Sequence, residues 1–337
     1  MNVPLLEVEN LVVHFPLPRG VGDMAAGRPR RVVRAVNGVS LAVRRGEALG
    51  IVGESGCGKS TLGRAMLHLV PATSGHVRLD GRVVAGLDRE GLTGLRRRAQ
   101  IVFQDPHASL DPRQTVRRAL AEVLTLHRLC PRDAMGRTVD RLLERVGLSA
   151  ALGDRRPGSL SGGQCQRVGI ARALALNPDI LVADECVSAL DVSIQAQILN
   201  LLLDLQAETG MAIVFISHDL GVVRHLCHRV AIMYLGRLVE EGPAEVVLRD
   251  PRHPYTRALI ASIPGLGHGP KTAVQGEPSS PIDLPAGCAF HRRCAEAMEV
   301  CRGGAPPARQ GNAEHGTWCH LPRAGGTTPI AQETGLR

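Results

Sequence analysis

The 337-residue chain is 44% hydrophobic and 21% charged, enough apolar content for a sizeable core, which excludes a disordered or fibrous protein. Forty basic against 32 acidic residues give a net charge of +8, open to nucleic acid, an anionic membrane surface or an anionic ligand, but four Phe, two Tyr and one Trp are too few for a base-stacking platform. No apolar run reaches the roughly 18–20 residues of a membrane helix, the N-terminal MNVPLLEVEN does not read as a secretory signal, and nine scattered cysteines do not resemble a secreted disulfide scaffold, so a reducing, cytosolic compartment is expected.

In chain order, residues 5–13 (LLEVENLVV) read as a half-buried strand, followed by a Pro/Gly/Arg-rich surface insertion at 16–31. Residues 36–43 have strand character, and Ala48–Val52 is a short apolar run meeting a glycine-rich turn and then a helix from Lys59 to about Leu69. His76–Leu79 and the Asp80-Gly81 turn signal an edge strand and hairpin, and Ile101–Phe103 is a further strand. Apolar residues at spacings of three and four make 107–172 an inserted helical subdomain. Strands at Ile180–Ala183, Ala212–Ile216 and Val230–Met233 alternate with helices, one carrying Ile194, Ile198, Leu201, Leu202 and Leu205 on a face. That alternation predicts an α/β fold with a mainly parallel sheet. From about residue 264 the composition shifts to Pro, Gly, Cys and Arg, predicting little regular structure. The runs Arg28–Arg34 and Arg96–Arg98 read as solvated faces.

The strongest motif is Gly53-Glu54-Ser55-Gly56-Cys57-Gly58-Lys59-Ser60, followed by Thr61, a complete G-x4-G-K-[ST] between an apolar strand and a helix. Its glycines let backbone N–H groups turn inward around phosphate oxygens, and the following helix points its positive end at the same charge. Lys59 is one of only two lysines in the chain and is expected to bridge the β- and γ-phosphates, with the Ser60 hydroxyl on Mg2+. The run Ile180-Leu181-Val182-Ala183-Asp184-Glu185 ends a buried strand in two acids, where ligands sit in open α/β sheets. Asp184 is placed to hold Mg2+ through water, and Glu185 to polarise an attacking water as general base.

Leu160-Ser161-Gly162-Gly163-Gln164 resembles the signature sequence of ATP-binding cassette (ABC) ATPases, a Ser/Gly-rich helix N-terminus that in that family closes over ATP held by the opposite subunit. Gln104 in FQDP resembles the Q-loop, which touches Mg2+ and the coupling surface; Ser188-Ala189-Leu190-Asp191 resembles the D-loop; and His218 resembles the switch histidine that contacts the γ-phosphate. Phe15 is the candidate aromatic on adenine. The runs VGESGCGKSTLGR, VFQDPHASLDPR, SGGQCQRVGIARAL and SALDVSIQAQILNLL, with His253-Pro254-Tyr255-Thr256-Arg257, resemble the oligopeptide/dipeptide importer ATPases, and within them the second ATPase subunit of the pair.

The resemblance implies a P-loop NTPase core with an antiparallel β subdomain and an irregular Cys-containing C-terminal extension. It gives an ABC nucleotide-binding domain at 5–250, an importer extension at 251–323 and a disordered tail at 324–337. It also implies ATP and Mg2+, a peripheral place on the cytoplasmic face of the membrane, two transmembrane permease subunits, a sister ABC ATPase in a heterodimer rather than a homodimer, and an extracytoplasmic solute-binding protein, with no nucleic acid. The implied activity is ATP hydrolysis driving peptide import; the alternatives are a soluble ABC ATPase acting on nucleic acid or ribosomes, and an importer of the same branch carrying nickel or another solute. Two positions depart from the family: Cys186 stands where a proline follows the acids, and Arg156-Pro157-Gly158-Ser159 lacks the polar His-Glu pair before the signature.

Cys288, Cys294, Cys301 and Cys319 fit neither zinc-finger nor ferredoxin spacing. Similar tails in this importer branch imply a [4Fe–4S] cluster; zinc and unligated packing cysteines stay open, with His291 and His320 as alternative ligands. Cys57, Cys130, Cys165, Cys186 and Cys227 read as packing residues.

Overall fold

The computed structural model describes residues 3–20, 27, 29–263, 276–277, 279–303, 307–312 and 314–321. The first strand shows how the apolar pattern sets the backbone. Leu6, Val8, Leu11 and Val13 are buried, so the period of two slips by one residue between Val8 and Leu11. The chain absorbs the extra residue in a bulge at that point, with Asn10 at φ 44. The resulting β1 (Leu6–Pro16) pairs antiparallel with β2 (Val32–Val43) and β4 (Ser74–Leu79). β5 (Arg82–Val83) completes this four-stranded sheet across the Asp80-Gly81 turn, where both residues have positive φ (54 and 75), as a tight hairpin between twisted strands requires.

The second sheet contains β3 (Ala48–Val52), β6 (Ala99–Val102), β7 (Ile180–Asp184), β8 (Ala212–Ser217) and β9 (Arg229–Tyr234), all parallel in the order β6-β7-β8-β3-β9. Every residue of β3, β7 and β8 is buried, because both faces of the sheet are covered. Side-chain alternation divides the core in two. Leu49, Ile51, Ile180, Val182, Val214 and Ile216 face the antiparallel sheet and helix α1 (Lys59–Met66). Ala48, Val52, Leu181, Ala183, Ile213 and Phe215 face the other helices.

After α2 (Arg89–Arg98), the inserted helices are α3 (Val116–Leu126) and α4 (Met135–Arg145). They meet through Leu120, Leu124, Val139 and Leu143, with Arg117 bridging Asp140 and Asp154. The sequence boundary at 172 falls inside α5 (Gly162–Leu174), whose Val168, Ile170 and Ala171 belong to the main core. In α6 (Val192–Thr209) the buried stripe is Ile198, Leu199, Leu202 and Leu205, whereas Ile194 and Leu201 are half-buried. Helix α7 (Leu220–Leu226) follows β8.

β10 (Arg237–Pro243) turns back antiparallel on β9, followed by α8 (Ala244–Arg249) and α9 (Pro254–Ala261). The region beyond 264 has more order than its composition suggested. β12 (Gly316–Thr317) pairs with β10, and β11 (Gln310–Gly311) pairs with β12, so the tail extends the main sheet. The Arg96–Arg98 run is also more than a solvated face: Arg96 and Arg97 are exposed, but Arg98 bonds Asp179 (2.5 Å) and Asp80 (2.7 Å), tying α2 to the loop before β7. The segment 324–337, and residues 21–26 and 28 of the 16–31 insertion, lie outside the described residues.

Candidate functional site

The phosphate loop leaves the buried end of β3 and enters α1 at Gly58, whose φ of 104 is open to glycine alone. A Cβ at Gly58 would stand 2.0 Å from the Ala35 carbonyl oxygen and one at Gly53 2.1 Å from that of Met233, so the loop is a close-fitting backbone cradle. No side chain caps α1, which leaves its first N–H groups to an anion, and Ser55 and Gly56 are exposed at the mouth. Lys59 is buried and donates to the Gly53 (2.9 Å) and Glu54 (3.0 Å) carbonyls; Thr61 is half-buried on α1. Burial pushes the Cys57 thiol up to about 11, so this loop cysteine is a packing group and not a nucleophile.

The two acids stand at the C-terminal end of β7 beside that loop. Ser60 Oγ donates to Asp184 Oδ1 at 2.6 Å, and Arg64 lies 3.6 Å from the other oxygen. Hydroxyl and carboxylate oxygens so placed are the hard donors that Mg2+ takes, so the residues fit that ion. Glu185 has a φ of 47, a left-handed conformation that costs energy for a non-glycine residue and turns the chain out of the sheet. Its carboxylate is the meeting point of the site. Lys59 Nζ lies 3.8 Å from Oε1, Gln104 Nε2 donates to Oε2 at 3.2 Å, and His218 Nδ1 is 3.8 Å from the same oxygen. Cys186 packs into the core directly after it, its thiol pushed up to about 12 by burial, and the turn is closed by the Ser188 N–H and hydroxyl on the Glu185 carbonyl. Without proline, the turn is held by those two bonds.

Ser161 caps α5 by accepting from the Gln164 N–H (3.2 Å), and Gln164 Oε1 accepts from the Ser161 N–H (3.0 Å). A Cβ at Gly163 would meet Ile194 of α6 at 2.5 Å and one at Gly162 would meet Leu190 at 3.4 Å, so this helix start is fitted to its neighbours. Pro157–Ser159, where the polar pair is missing, forms a 3-10 turn leading into the cap. Among the described residues no hydrogen bond or ion pair joins Ser161–Gln164 to the phosphate loop, and none involves the Phe15 ring, which is 41% exposed near the end of β1.

Sequence reasoning missed the partners of Glu54. Arg293 donates both terminal nitrogens to the Glu54 carboxylate at 2.8 and 3.0 Å and one of them to Tyr234 Oη, while the Glu54 N–H donates to Tyr255 Oη at 2.9 Å. Burial lowers the Arg293 guanidinium, but the bonds to Glu54 and Tyr234 outweigh it and leave the group raised. Both tyrosines and Phe290 stack together with centroids 4.7–5.3 Å apart. In a chain with so few aromatics, the pairing of a tyrosine in the His253–Arg257 motif with a tail phenylalanine was the one available signal.

Cys288, Cys294, Cys301 and Cys319 converge closely enough for each of Cys288, Cys294 and Cys319 to feel other thiols of the set, and burial raises all three, Cys288 to about 11. No group of three His, Cys, Asp or Glu among the described residues forms a metal-ligand set, however, so the arrangement does not fit an iron–sulfur cluster or zinc as it stands. The other five cysteines are buried apart from half-buried Cys130.

Residues 36–188 match the family described as ABC transporter, and residues 239–301 the family described as oligopeptide/dipeptide transporter, C-terminal region. The chain is 50% identical over 310 residues to a probable peptide ABC transporter ATP-binding protein of Sinorhizobium fredii, with 91% of this chain and 87% of that protein covered. It is 44% identical to the oligopeptide transport ATP-binding protein AppF of Bacillus subtilis (94% and 97% covered) and 46% identical to the di/tripeptide transport ATP-binding protein DppF of Pseudomonas aeruginosa (90% and 94%). Among solved structures it resembles CbiO1 of Clostridium perfringens, part of an ABC transporter complex (TM-score 0.62, 30% identity, 73% of this chain and 91% of that one), and the ATP-binding cassette MJ0796 bound to ADP and phosphate (TM-score 0.61, 29% identity, 71% and 98%). With Lys59, Gln104 and His218 meeting at Glu185 beside the phosphate loop, and with these matches over nearly the whole chain, this protein belongs to the ABC transporter family as an ATP-binding ATPase, in the branch that carries the oligopeptide/dipeptide transporter C-terminal region.

Proposed function

We propose that this chain is the ATP-hydrolysing subunit of an importer that carries peptides across the cytoplasmic membrane, acting at its cytoplasmic face. The observation that carries the reading is the convergence of Lys59, Gln104 and His218 on Glu185 in a chain that also bears the importer-type C-terminal region. Relatives named for peptide transport cover nearly the whole chain. No helix among the described residues is long and apolar enough to cross a membrane; in our reading two permease subunits supply the pathway for cargo.

In this reading residues 5–250 form the nucleotide-binding domain and 251–323 the importer extension. The loop Gly53–Gly58 and Thr61 wrap the phosphates, and Lys59 moves from its two carbonyl partners to the β- and γ-oxygens. Ser60, Gln104 and Asp184 hold Mg2+, which when bound neutralises phosphate charge. Glu185 accepts the proton of the attacking water, and His218 holds the γ-phosphate. Phe15 stacks on adenine. Ser161, Gly162, Gly163 and Gln164 complete the site of a sister ATPase subunit, so turnover requires a dimer, here a heterodimer. Closure and opening of that dimer drive the permeases, and an extracytoplasmic solute-binding protein delivers the peptide.

The tail thiols stay outside this scheme. A [4Fe–4S] cluster on Cys288, Cys294, Cys301 and Cys319 is the finer expectation, although the described residues form no metal-ligand set there. Bound iron and visible absorption in anaerobically purified protein would restore it, and colourless, iron-free protein would remove it.

Affinity capture of the tagged chain from native membranes tests the transport reading. Two permease subunits and a second ATPase are expected, with ATPase activity of the complex stimulated by a peptide-loaded binding protein. Recovery of ribosomes or nucleic acid alone overturns the transport reading and leaves the ATPase standing.

A further inference from the structure

Every polar group of Glu54, the second residue of the phosphate loop, is engaged. Its N–H donates to Tyr255 Oη, its carbonyl accepts from Lys59 Nζ (3.0 Å) and from the Cys57 N–H (3.3 Å), and its carboxylate takes the fork of Arg293. Two of these partners come from the C-terminal extension, 201 and 239 residues away, and two from the loop itself. Glu54 is therefore the joint through which the extension holds the backbone of the phosphate loop.

The electrostatics point the same way. A carboxylate beside a loop that binds a polyanion repels its ligand unless it is neutralised. Arg293, with a side chain 7% exposed, neutralises Glu54, itself only a quarter exposed. A planar guanidinium fixes the plane of the carboxylate as well as its position, which a lysine ammonium cannot do. The Tyr234–Tyr255–Phe290 cluster braces both groups: Tyr234 Oη accepts from Arg293, and Phe290 immediately precedes the His291–Arg293 turn.

We propose that Arg293, together with Tyr255, is a positioning residue for nucleotide binding: it holds Glu54, and with it the backbone of the phosphate loop, in place, and it cancels the repulsion between the Glu54 carboxylate and the ATP phosphates. The proposal rests on residues 53–60 being the nucleotide's phosphate loop and is independent of the cargo. The extension thereby sets the affinity of the ATP site within its own chain. Cys294 follows Arg293 directly, so the thiol cluster and the phosphate loop share one short turn.

The test measures binding of a fluorescent ATP analogue to the full-length chain, with melting temperature in parallel, so that the readout does not depend on turnover. Arg293→Ala is expected to raise the dissociation constant about tenfold, the size of losing a charge-assisted bidentate pair at a binding site. Glu54→Gln in the Arg293→Ala background is expected to recover most of that loss, since the neutral amide no longer repels phosphate. A purely structural role predicts the opposite, a double variant as weak as Arg293→Ala or weaker, and that result overturns the proposal. If Arg293→Ala fails to fold, Arg293→Lys and Tyr255→Phe carry the test: each is expected to weaken binding about threefold, with KM for ATP rising more than kcat falls in the assembled complex. Unaltered affinity in both overturns the proposal. Lys59→Ala separates the two readings. Unaltered binding there overturns the phosphate-loop assignment and this proposal with it, whereas weakened binding there and unaltered binding in Arg293→Ala overturns this proposal alone.

Discussion

The nucleotide core and the C-terminal tail reach the same phosphate loop by different physical means. In the core, β3, β7 and β8 are wholly buried, and their ladders deliver Gly53, Asp184 and His218 to the strand ends or to the residues just after them. Among its described residues between 279 and 321 the tail has two two-residue strands and two 3-10 turns. It is held by individual polar contacts instead: Arg293 on Glu54, Arg309 on Glu241, and the His315 imidazole on the fully buried Glu240 (2.7 Å). Glu240 also accepts from the N–H groups of Arg252 and His253, so one buried carboxylate sets the start of α9 and the return of the tail. In the core many backbone bonds share the positioning of each site residue, so an exposed functional side chain can change without unsettling the fold. In the tail single side chains hold both position and order, so a change there reaches structure and function together.

That contrast can be broken most directly at Glu185. Glu185→Gln keeps the side-chain volume and removes the carboxylate proposed as the base, and turnover in the assembled complex is expected to fall about 1,000-fold, within the usual range for general base catalysis. ATP binding and melting temperature should stay close to the parent's. Single-turnover hydrolysis measures the loss, and retained turnover would remove the base assignment.

Gly287 probes the tail. Its φ is +68, and a Cβ would stand 2.4 Å from the carbonyl oxygens of both Cys301 and Gly303. Gly287→Ala should cost about 3 kcal/mol of local stability, combining left-handed strain with the clash. Limited proteolysis should then cut the tail before the core. Simultaneous cleavage of both regions would show that the two are not energetically separate.

The smallest effect is a pH dependence at the junction. Burial pulls the His253 imidazole down to about 4, with Glu240 opposing the shift, and its Nδ1 accepts from the Tyr255 N–H, which requires that nitrogen to be unprotonated. The unfolded chain therefore binds the extra proton between about pH 6.5 and 4, so the stability from this group is intact above that window and lost as pH falls through it. The loss is about 2 kcal/mol at pH 5 relative to pH 7.5. His253→Asn preserves a capping acceptor and should flatten the slope of urea-unfolding free energy against pH; an unchanged slope would place the proton sink elsewhere.

The phosphate loop and the acidic pair of the candidate site were legible because their residues lie in contiguous, strongly patterned segments. The loop 53–60 follows a buried strand and opens a helix, and Ile180–Glu185 ends a run whose burial makes its last residues face the ligand edge. The bulge in β1 was encoded in the spacing of Leu6, Val8, Leu11 and Val13 but is apparent only once their shared face is known. Helix α2 was not read from its sequence, since its two leucines, half-buried Leu92 and buried Leu95, are too few to make a stripe. The ties between Arg293 and Glu54 and between His315 and Glu240 left no local pattern, because each joins residues 239 and 75 positions apart through one contact.

By itself the sequence determined the α/β class, the phosphate loop, the acidic pair and the family resemblance, all of which rest on short-range spacing: the period of a strand, the glycines of a turn, the cap of a helix. Only the tertiary structure decided that Glu185 gathers Lys59, Gln104 and His218, that the tail adds strands to the main sheet, and that Arg293 reaches the phosphate loop. The physical reason is that a hydrogen bond or ion pair is specified by the meeting of two side chains in space, and two segments far apart in sequence meet only after the sheets and helices between them have packed.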